Sequence, residues 1–279
     1  MTLTPDGRLV VNADTKVHIL DRSMRVLQTV PGEYCGTLDA DDDSIFACPR
    51  RTNALHRVSH DGIIAAEYRL EGYDFANPVL APGGLLFCAM FDSTTEEKDP
   101  DFEPFEPDEI IAVDAQTLQL RHRFGAGLVN HVSQLAVVGD ELYVCDTGNH
   151  RLQVFSLTGE HRRSIMGEWR EPQRLCVAKD RLYLVERVND GDLSYLDPLA
   201  SLRGRRILVL SLLGDILQVV THPTELTAKL LLMCCFEHKL LACYCCRPCS
   251  ANTPCTATVG LCVRCPTVAV HGVFALQGL

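Results

Sequence analysis

The chain has 279 residues, of which 47% are hydrophobic, and a formal net charge of −10. This length and composition suit a globular protein with a sizeable core, and the acidic balance disfavours nucleic acid as a partner. The first residues lack the basic and apolar regions of a secretory signal, and no apolar run approaches the ~20 residues of a membrane span, so we expect a cytoplasmic protein.

Short apolar runs separated by turn residues follow one another along the first half of the chain. Runs rich in Val, Leu and Ile that alternate with Gly, Asp and Asn turns are typical of antiparallel strands. Three such blocks precede residue 130: residues 5–21, residues 38–62, and residues 77–88, which resume at 110–114.

A clearer repeat follows. Residues 133–146 recur as residues 173–186, 40 positions later, and residues 151–160 recur as residues 206–215, now 55 positions later. Each repeat reads as four short strands. Because one four-stranded sheet cannot bury both of its faces, a series of such sheets must stack, and radial stacking at a period near 40 predicts a β-propeller.

The sequence therefore predicts an all-β fold, a propeller of five to six four-stranded blades. Five blades are visible. Pro223–Lys229 loosely echoes the start of the fifth blade, so we expect a sixth that is degenerate or incomplete. From Leu230 onward the chain shows no rhythm of turns and strands. We expect a propeller over residues 1–229 and an irregular cysteine-rich tail over residues 230–279, either a degenerate last blade or disordered.

One segment carries a family resemblance. Residues 143–155 read Tyr-Val-Cys-Asp-Thr-Gly-Asn-His-Arg-Leu-Gln-Val-Phe. A strand that ends in Asp, a Thr-Gly-Asn-His-Arg turn and an apolar strand resemble the NHL-repeat family. We expect Asp146 to accept hydrogen bonds from turn amides and to pair with Arg151, while Gly148 and Asn149 supply positive φ in the turn. Blade five has Glu186 where the family has Asp.

Two insertions fall at one position of the repeat. Residues 92–109 interrupt blade three between its second and third strands, and residues 187–205 replace the four-residue turn 147–150 in blade five. Connections between second and third strands share a face with the links between blades, so we expect both loops to form one rim that binds a partner. The first insertion carries nine acidic residues, two Phe and three Pro. It reads as a solvated loop, a docking strip for a peptide or basic partner, or a calcium loop.

Nine of the fourteen cysteines lie between Cys234 and Cys265. Four of them form two CxxC pairs that could hold a structural zinc ion: Cys246, Cys249, Cys262 and Cys265. The alternatives are a poorly ordered tail without metal, or reactive or lipid-modified thiols. The five isolated cysteines of the propeller read as small buried hydrophobes in a reducing compartment.

Two functions remain open. The NHL resemblance implies a non-catalytic scaffold that binds a protein or peptide partner on the rim, since propellers of this family serve widely in protein interaction. The family that the chain resembles also includes lyases. It is related to lactonase-like six-bladed enzymes, which hold a metal ion at the channel. The alternative is thus a metal-dependent hydrolase or lyase, with candidate ligands at the blade entrances: Asn77, Asn130, His131 and His222. No nucleotide-binding, nucleophile-elbow or zinc-protease motif is present.

Overall fold

The computed structural model describes residues 1–13, 16–49, 52–93, 108–178, 180–186, 206–221, 229–236, 239–245 and 274–275. The chain divides into two compact units, Met1–Ser164 and Ile165–Leu279. Within the described residues, no helix has the length and apolar character that crossing a membrane requires.

The first unit holds four antiparallel sheets of four strands, each in simple meander order. Blade 1 consists of β1 Thr2–Leu3, β2 Leu9–Ala13, β3 Lys16–Leu20 and β4 Val26–Val30. Blade 2 consists of β5 Tyr34–Ala40, β6 Ser44–Pro49, β7 Ala54–Ser59 and β8 Ile64–Arg69. Blade 3 consists of β9 Tyr73–Ala81, β10 Leu85–Asp92, β11 Glu109–Asp114 and β12 Leu120–Phe124. Blade 4 consists of β13 Val132–Val138, β14 Glu141–Asp146, β15 Arg151–Ser156 and β16 His161–Ile165.

The second unit begins with a fifth sheet of the same kind. Blade 5 consists of β17 Pro172–Ala178, β18 Arg181–Glu186, β19 Arg206–Ser211 and β20 Ile216–Thr221. A further sheet of three described strands follows: β21 Lys229–Phe236, β22 Lys239–Cys245 and β23 Phe274–Ala275. The prediction of five four-stranded blades is confirmed. β21 and β22 form an antiparallel hairpin in the region where the sequence shows no rhythm of turns and strands.

The middle strands of each blade are buried on both faces, and successive residues alternate between two cores. On β6, Phe46 packs toward blade 3, whereas its neighbours Ile45 and Ala47 pack toward blade 1. On β10, Cys88 packs toward blade 2, and Phe87 packs toward blade 4. Each blade of the first unit therefore completes the core of the next, which is why a single repeat could not fold alone.

The isolated cysteines agree with their predicted role where the structure describes them. Cys48, Cys88 and Cys145 are buried, Cys176 is half-buried, and none of these four cysteines forms a disulfide. Side chains of this size fit between stacked sheets without a polar group that needs a strong partner.

Candidate functional site

The connection between β14 and β15 forms one short reversal at the end of blade 4. Thr147–Asn149 make a single 3-10 turn, and His150 closes it in the left-handed conformation with φ 57° and ψ 32°. The His150 amide donates to the Thr147 carbonyl oxygen at 3.1 Å. Sequence reasoning assigned positive φ to Gly148 and Asn149, and this was wrong, since the left-handed residue is His150.

Gly148 is required for a different reason. The link that enters blade 4 is the segment 125–131 between β12 and β13. The Gly148 amide donates to the Asn130 carbonyl oxygen at 3.0 Å, and this hydrogen bond brings the turn against the link. A Cβ atom at Gly148 would meet Asn130 Cγ and Nδ2 at 2.9 Å. The turn and the link therefore touch at a position where a larger residue would require the Asn130 side chain to move.

Asp146 connects the same two segments through its buried carboxylate. The side chain is 0% exposed and accepts the Asn130 amide at 2.7 Å. It also accepts Asn149 Nδ2 at 2.9 Å and Arg151 Nε at 2.8 Å. The predicted pairing with Arg151 is confirmed. The predicted bonds from turn amides come from the Asn149 side chain and from the Asn130 backbone.

Arg151 and Gln153 extend this arrangement further along the link. Arg151 Nη2 and Gln153 Nε2 both donate to the Leu128 carbonyl oxygen, each at 3.0 Å. Two residues on the same face of β15 thus hold one carbonyl of the link in place. The entrance to blade 4 is fixed by side chains of its own second and third strands.

Asp108 adds a contact from blade 3 that sequence reasoning missed. Its carboxylate accepts the backbone amide of Val132, the first residue of β13. Burial raises the pKa of Asp108 above its usual value, against the opposing effects of this hydrogen bond and of His131. In the sequence Asp108 is one of nine acidic residues of the insertion, and nothing in the local pattern distinguishes it.

Blade 5 repeats the blade 4 arrangement with a longer carboxylate. Arg206 Nε and Nη2 donate to the two oxygens of Glu186 at 2.7 and 3.0 Å, and both side chains are buried. Glu186 also accepts the Arg170 amide at 3.1 Å, and Arg206 Nη2 donates to the Glu168 carbonyl oxygen at 3.1 Å. Glu in place of Asp therefore keeps the function of the strand-end carboxylate.

The proposed metal ligands of the first unit lie on two different elements, β9 and the link before β13. Asn77 lies inside β9 and not at a blade entrance as predicted. It has φ 57°; its Oδ1 accepts Thr37 Oγ1 at 2.8 Å and its Nδ2 donates to the Val132 carbonyl oxygen at 3.4 Å. Asn130 and His131 are exposed on the link. Among the described residues, no group of three or more His, Cys, Asp or Glu side chains could hold a metal ion.

Several predicted positions lie outside the described residues. These are His222, most of the 92–109 insertion, the whole 187–205 insertion, and the four CxxC cysteines Cys246, Cys249, Cys262 and Cys265. The structure does place the ends of both insertions. One lies between β10 and β11, and the other lies between β18 and β19.

Comparison with known proteins agrees with this architecture. Residues 130–155 match the family model of the NHL repeat. The chain is similar to a protein of unknown function from Bacteroides caccae, with 12% identity over 85% of this chain and 81% of that one and a TM-score of 0.60. It is also similar to the WD40 β-propeller domain of Doa1, with 14% identity over 84% and 71% of the chains and a TM-score of 0.56.

The chain has a β-propeller fold that contains an NHL repeat. A third similar structure is streptogramin B lyase, with 14% identity over 86% of this chain and 74% of that one and a TM-score of 0.58. At these identities the likeness concerns the fold. No curated protein matches the sequence. The matched repeat begins at Asn130 and includes Asp146 and Arg151, so the NHL repeat contains the contacts of the Asp146 carboxylate with the turn and the link.

Proposed function

We propose that this propeller is a non-catalytic scaffold that binds a protein or peptide partner on the rim formed by its links and its connections between second and third strands. The observation that carries the proposal is the fixed rim of blade 4. Asp146 holds the link that presents exposed Asn130 and His131, and the turn presents exposed His150. Binding residues are often carried by loops that a rigid framework positions.

The insertion of blade 3 supports the same surface. It leaves β10 after Asp92 and returns at Asp108, which bonds to the first residue of β13. Its acidic, Phe-containing and Pro-containing sequence suits a partner with basic and apolar groups. In blade 5, considered by itself, the 187–205 connection departs from the same position of the repeat, and we propose that it contributes to partner binding as well.

Replacement of the insertion tests the proposal. A variant in which residues 93–107 are exchanged for Thr-Gly-Asn-His, the connection of blade 4, should keep the blade and lose partners that the wild type captures from a lysate. The control is Glu160→Gln, an exposed side chain on the β15–β16 turn at the other end of blade 4. Partners retained by the replacement variant and lost by the control would overturn the assignment to the rim.

The second candidate is a metal-dependent hydrolase or lyase. It is favoured by the shared fold with streptogramin B lyase and by the exposure of His131 at the rim. Turnover of lactone substrates in the presence of divalent metal, abolished by His131→Ala, would replace the scaffold proposal. An unchanged rate of substrate loss with and without the protein would support the scaffold.

A further inference from the structure

Two buried thiols meet between blades 2 and 3. Cys48 lies on β6 and Cys88 on β10, the second strands of neighbouring blades, and they are 1% and 0% exposed within one core cluster. Cys88 donates its S–H to the Ala76 carbonyl oxygen at 2.9 Å. Its sulfur lone pairs remain available to the Cys48 S–H, and the two thiols are hydrogen-bonded.

A third cysteine is close in the backbone. Cys35 on β5 is directly opposite Cys48 on β6 in the antiparallel register. Directly opposed residues of such a pair have Cα atoms ~4.5–5.5 Å apart, which falls inside the range that a disulfide can span. Cys48 therefore has one cysteine opposite it in its own blade and a thiol in contact with it from the next blade.

We infer that Cys48 and Cys88 form an oxidisable dithiol site, in which hydrogen peroxide converts the two thiols into a disulfide that joins blades 2 and 3. One thiol is first oxidised to a sulfenic acid with release of one water molecule. The second thiol attacks that sulfur, the S–S bond forms and a second water molecule leaves. Two protein thiols lose two electrons and two protons, and one peroxide is reduced to two water molecules.

The environment sets the rate of this reaction and its direction. The hydrogen bond to Cys88 and burial raise the pKa of the Cys48 thiol, so thiolate is scarce and oxidation is slower than at exposed cysteines. Peroxide is small, and it reaches the pair when the two blades open locally. In a reducing compartment the pair stays reduced until peroxide rises, and thioredoxin-type reductants return it to the dithiol.

The disulfide should stabilise the first unit. A bond between positions 48 and 88 closes a loop that spans β6 to β10, and it restricts the unfolded chain. Because the two strands belong to different blades, the bond also prevents those blades from separating. Oxidation would thus make the repeat stack more resistant to unfolding.

Peptide mapping tests the inference on the full chain. The protein is treated with peroxide under native conditions, free thiols are blocked, and a digest is searched by mass spectrometry for a peptide pair linked through Cys48 and Cys88. We expect this pair, its disappearance after reduction, and faster formation in urea below the unfolding transition. A disulfide between Cys35 and Cys48 would overturn the inference. So would a digest in which Cys48 and Cys88 carry the blocking reagent, as reduced thiols, while the CxxC cysteines are oxidised.

A stability measurement with matched variants provides the second readout. Peroxide should raise the urea midpoint of the wild type and of Cys145→Ala, which removes a buried cysteine of β14 in another blade. Cys88→Ala should abolish the shift. A shift that survives in Cys88→Ala would assign the effect to other cysteines, and the peptide map would show which ones.

Discussion

At the scale of single residues, Asp146 fixes the rim because it is a fully buried charge that accepts four hydrogen bonds from three donor groups. Its carboxylate joins the turn, the link and Arg151. A buried carboxylate is stable only while hydrogen-bond donors and an opposite charge compensate it. Replacing Asp146 by Asn leaves Arg151 without its ion partner and turns the NH2 group of the new side chain toward groups that are themselves donors.

Asp146→Asn should therefore lower the free energy of unfolding by about 3 kcal/mol, the typical cost of breaking a buried ion pair. The measurement is urea unfolding followed by circular dichroism. Asp140→Asn is the control, because Asp140 pairs with Arg162 on the surface and its side chain is 78% exposed. Equal losses in the two variants would contradict a special role for the buried carboxylate.

Sequence reasoning succeeded at this scale where the residue type has one dominant chemistry. An acid at a strand end followed by Arg predicts an ion pair, and Asp146 with Arg151 confirms it. Glu186 and Arg206 form the corresponding pair in blade 5. Sequence reasoning failed for Gly148, because a glycine in a turn can be needed either for a positive φ or for close approach of another segment. Only the position of Asn130 shows that close approach applies here. Asp108 was missed because its partner, the Val132 amide, belongs to a different blade.

At the scale of elements, blade 4 is held together on its surface by a network of charges across β14 and β16. Arg163 donates to both oxygens of Glu141 at 2.5 and 2.8 Å, Arg162 donates to the same carboxylate at 3.1 Å, and the Tyr143 hydroxyl donates to it at 3.0 Å. Glu141 is the centre of this network and its side chain is 17% exposed.

These contacts make blade 4 sensitive to acid. The hydrogen bonds from Arg163, and to a lesser extent those from Arg162 and Tyr143, lower the pKa of Glu141 from 4.5 to about 2. A lowered carboxyl pKa stabilises the fold above the unfolded value, and this stabilisation is lost as pH falls from about 4.5 toward 2. Glu141→Gln should remove that part of the pH dependence while leaving the fold intact near neutral pH.

The measurement is the free energy of unfolding at several pH values between 2 and 6. Burial raises the pKa of Asp108. The contribution of Asp108 to the pH dependence of the free energy of unfolding is therefore opposite to that of Glu141, and it stabilises the fold as pH falls. Asp108→Asn is thus the matched control, since it should steepen the loss of stability on acidification. A Glu141→Gln profile parallel to that of the wild type would contradict the proposed role of the network.

The pattern of elements could be predicted from the sequence because strands of a propeller blade alternate between two cores. Turn residues and apolar runs mark the strands of blades 4 and 5, which resemble each other. Asn77 was placed at a blade entrance because the third block of apolar runs was read from residue 77, although β9 begins earlier, at Tyr73. The Asn77 side chain bonds to strands on both sides, a long-range contact that local pattern cannot reveal.

At the scale of the whole molecule, the sheet formed by β21, β22 and β23 was not visible in the sequence as a regular repeat. Its strands are apolar and cysteine-rich and lack the Gly and Asp turns that mark the other blades. The zinc site predicted at Cys246, Cys249, Cys262 and Cys265 stays a prediction, because these four residues lie outside the described part of the chain.

The charge of the whole chain leads to a prediction that separates protein binding from RNA binding. The formal net charge is −10, and the arginines at the surface of blades 3 and 4 are already paired with acids, as Arg121 is with Asp114 and Arg123 with Glu109. Binding to a phosphate backbone requires unpaired basic groups whose contacts release counterions.

A labelled single-stranded RNA should therefore show no change in fluorescence anisotropy with this protein at about 150 mM salt, where long-range attraction is screened beyond about 8 Å. A basic single-strand-binding protein serves as the positive control. Binding that strengthens as salt is lowered, and that His131→Ala or His150→Ala weakens, would show that the rim accepts RNA despite the acidic field. Because the rim presents histidines next to buried acids, a protein partner with neutral or basic contact groups meets less repulsion there than a polyanion does.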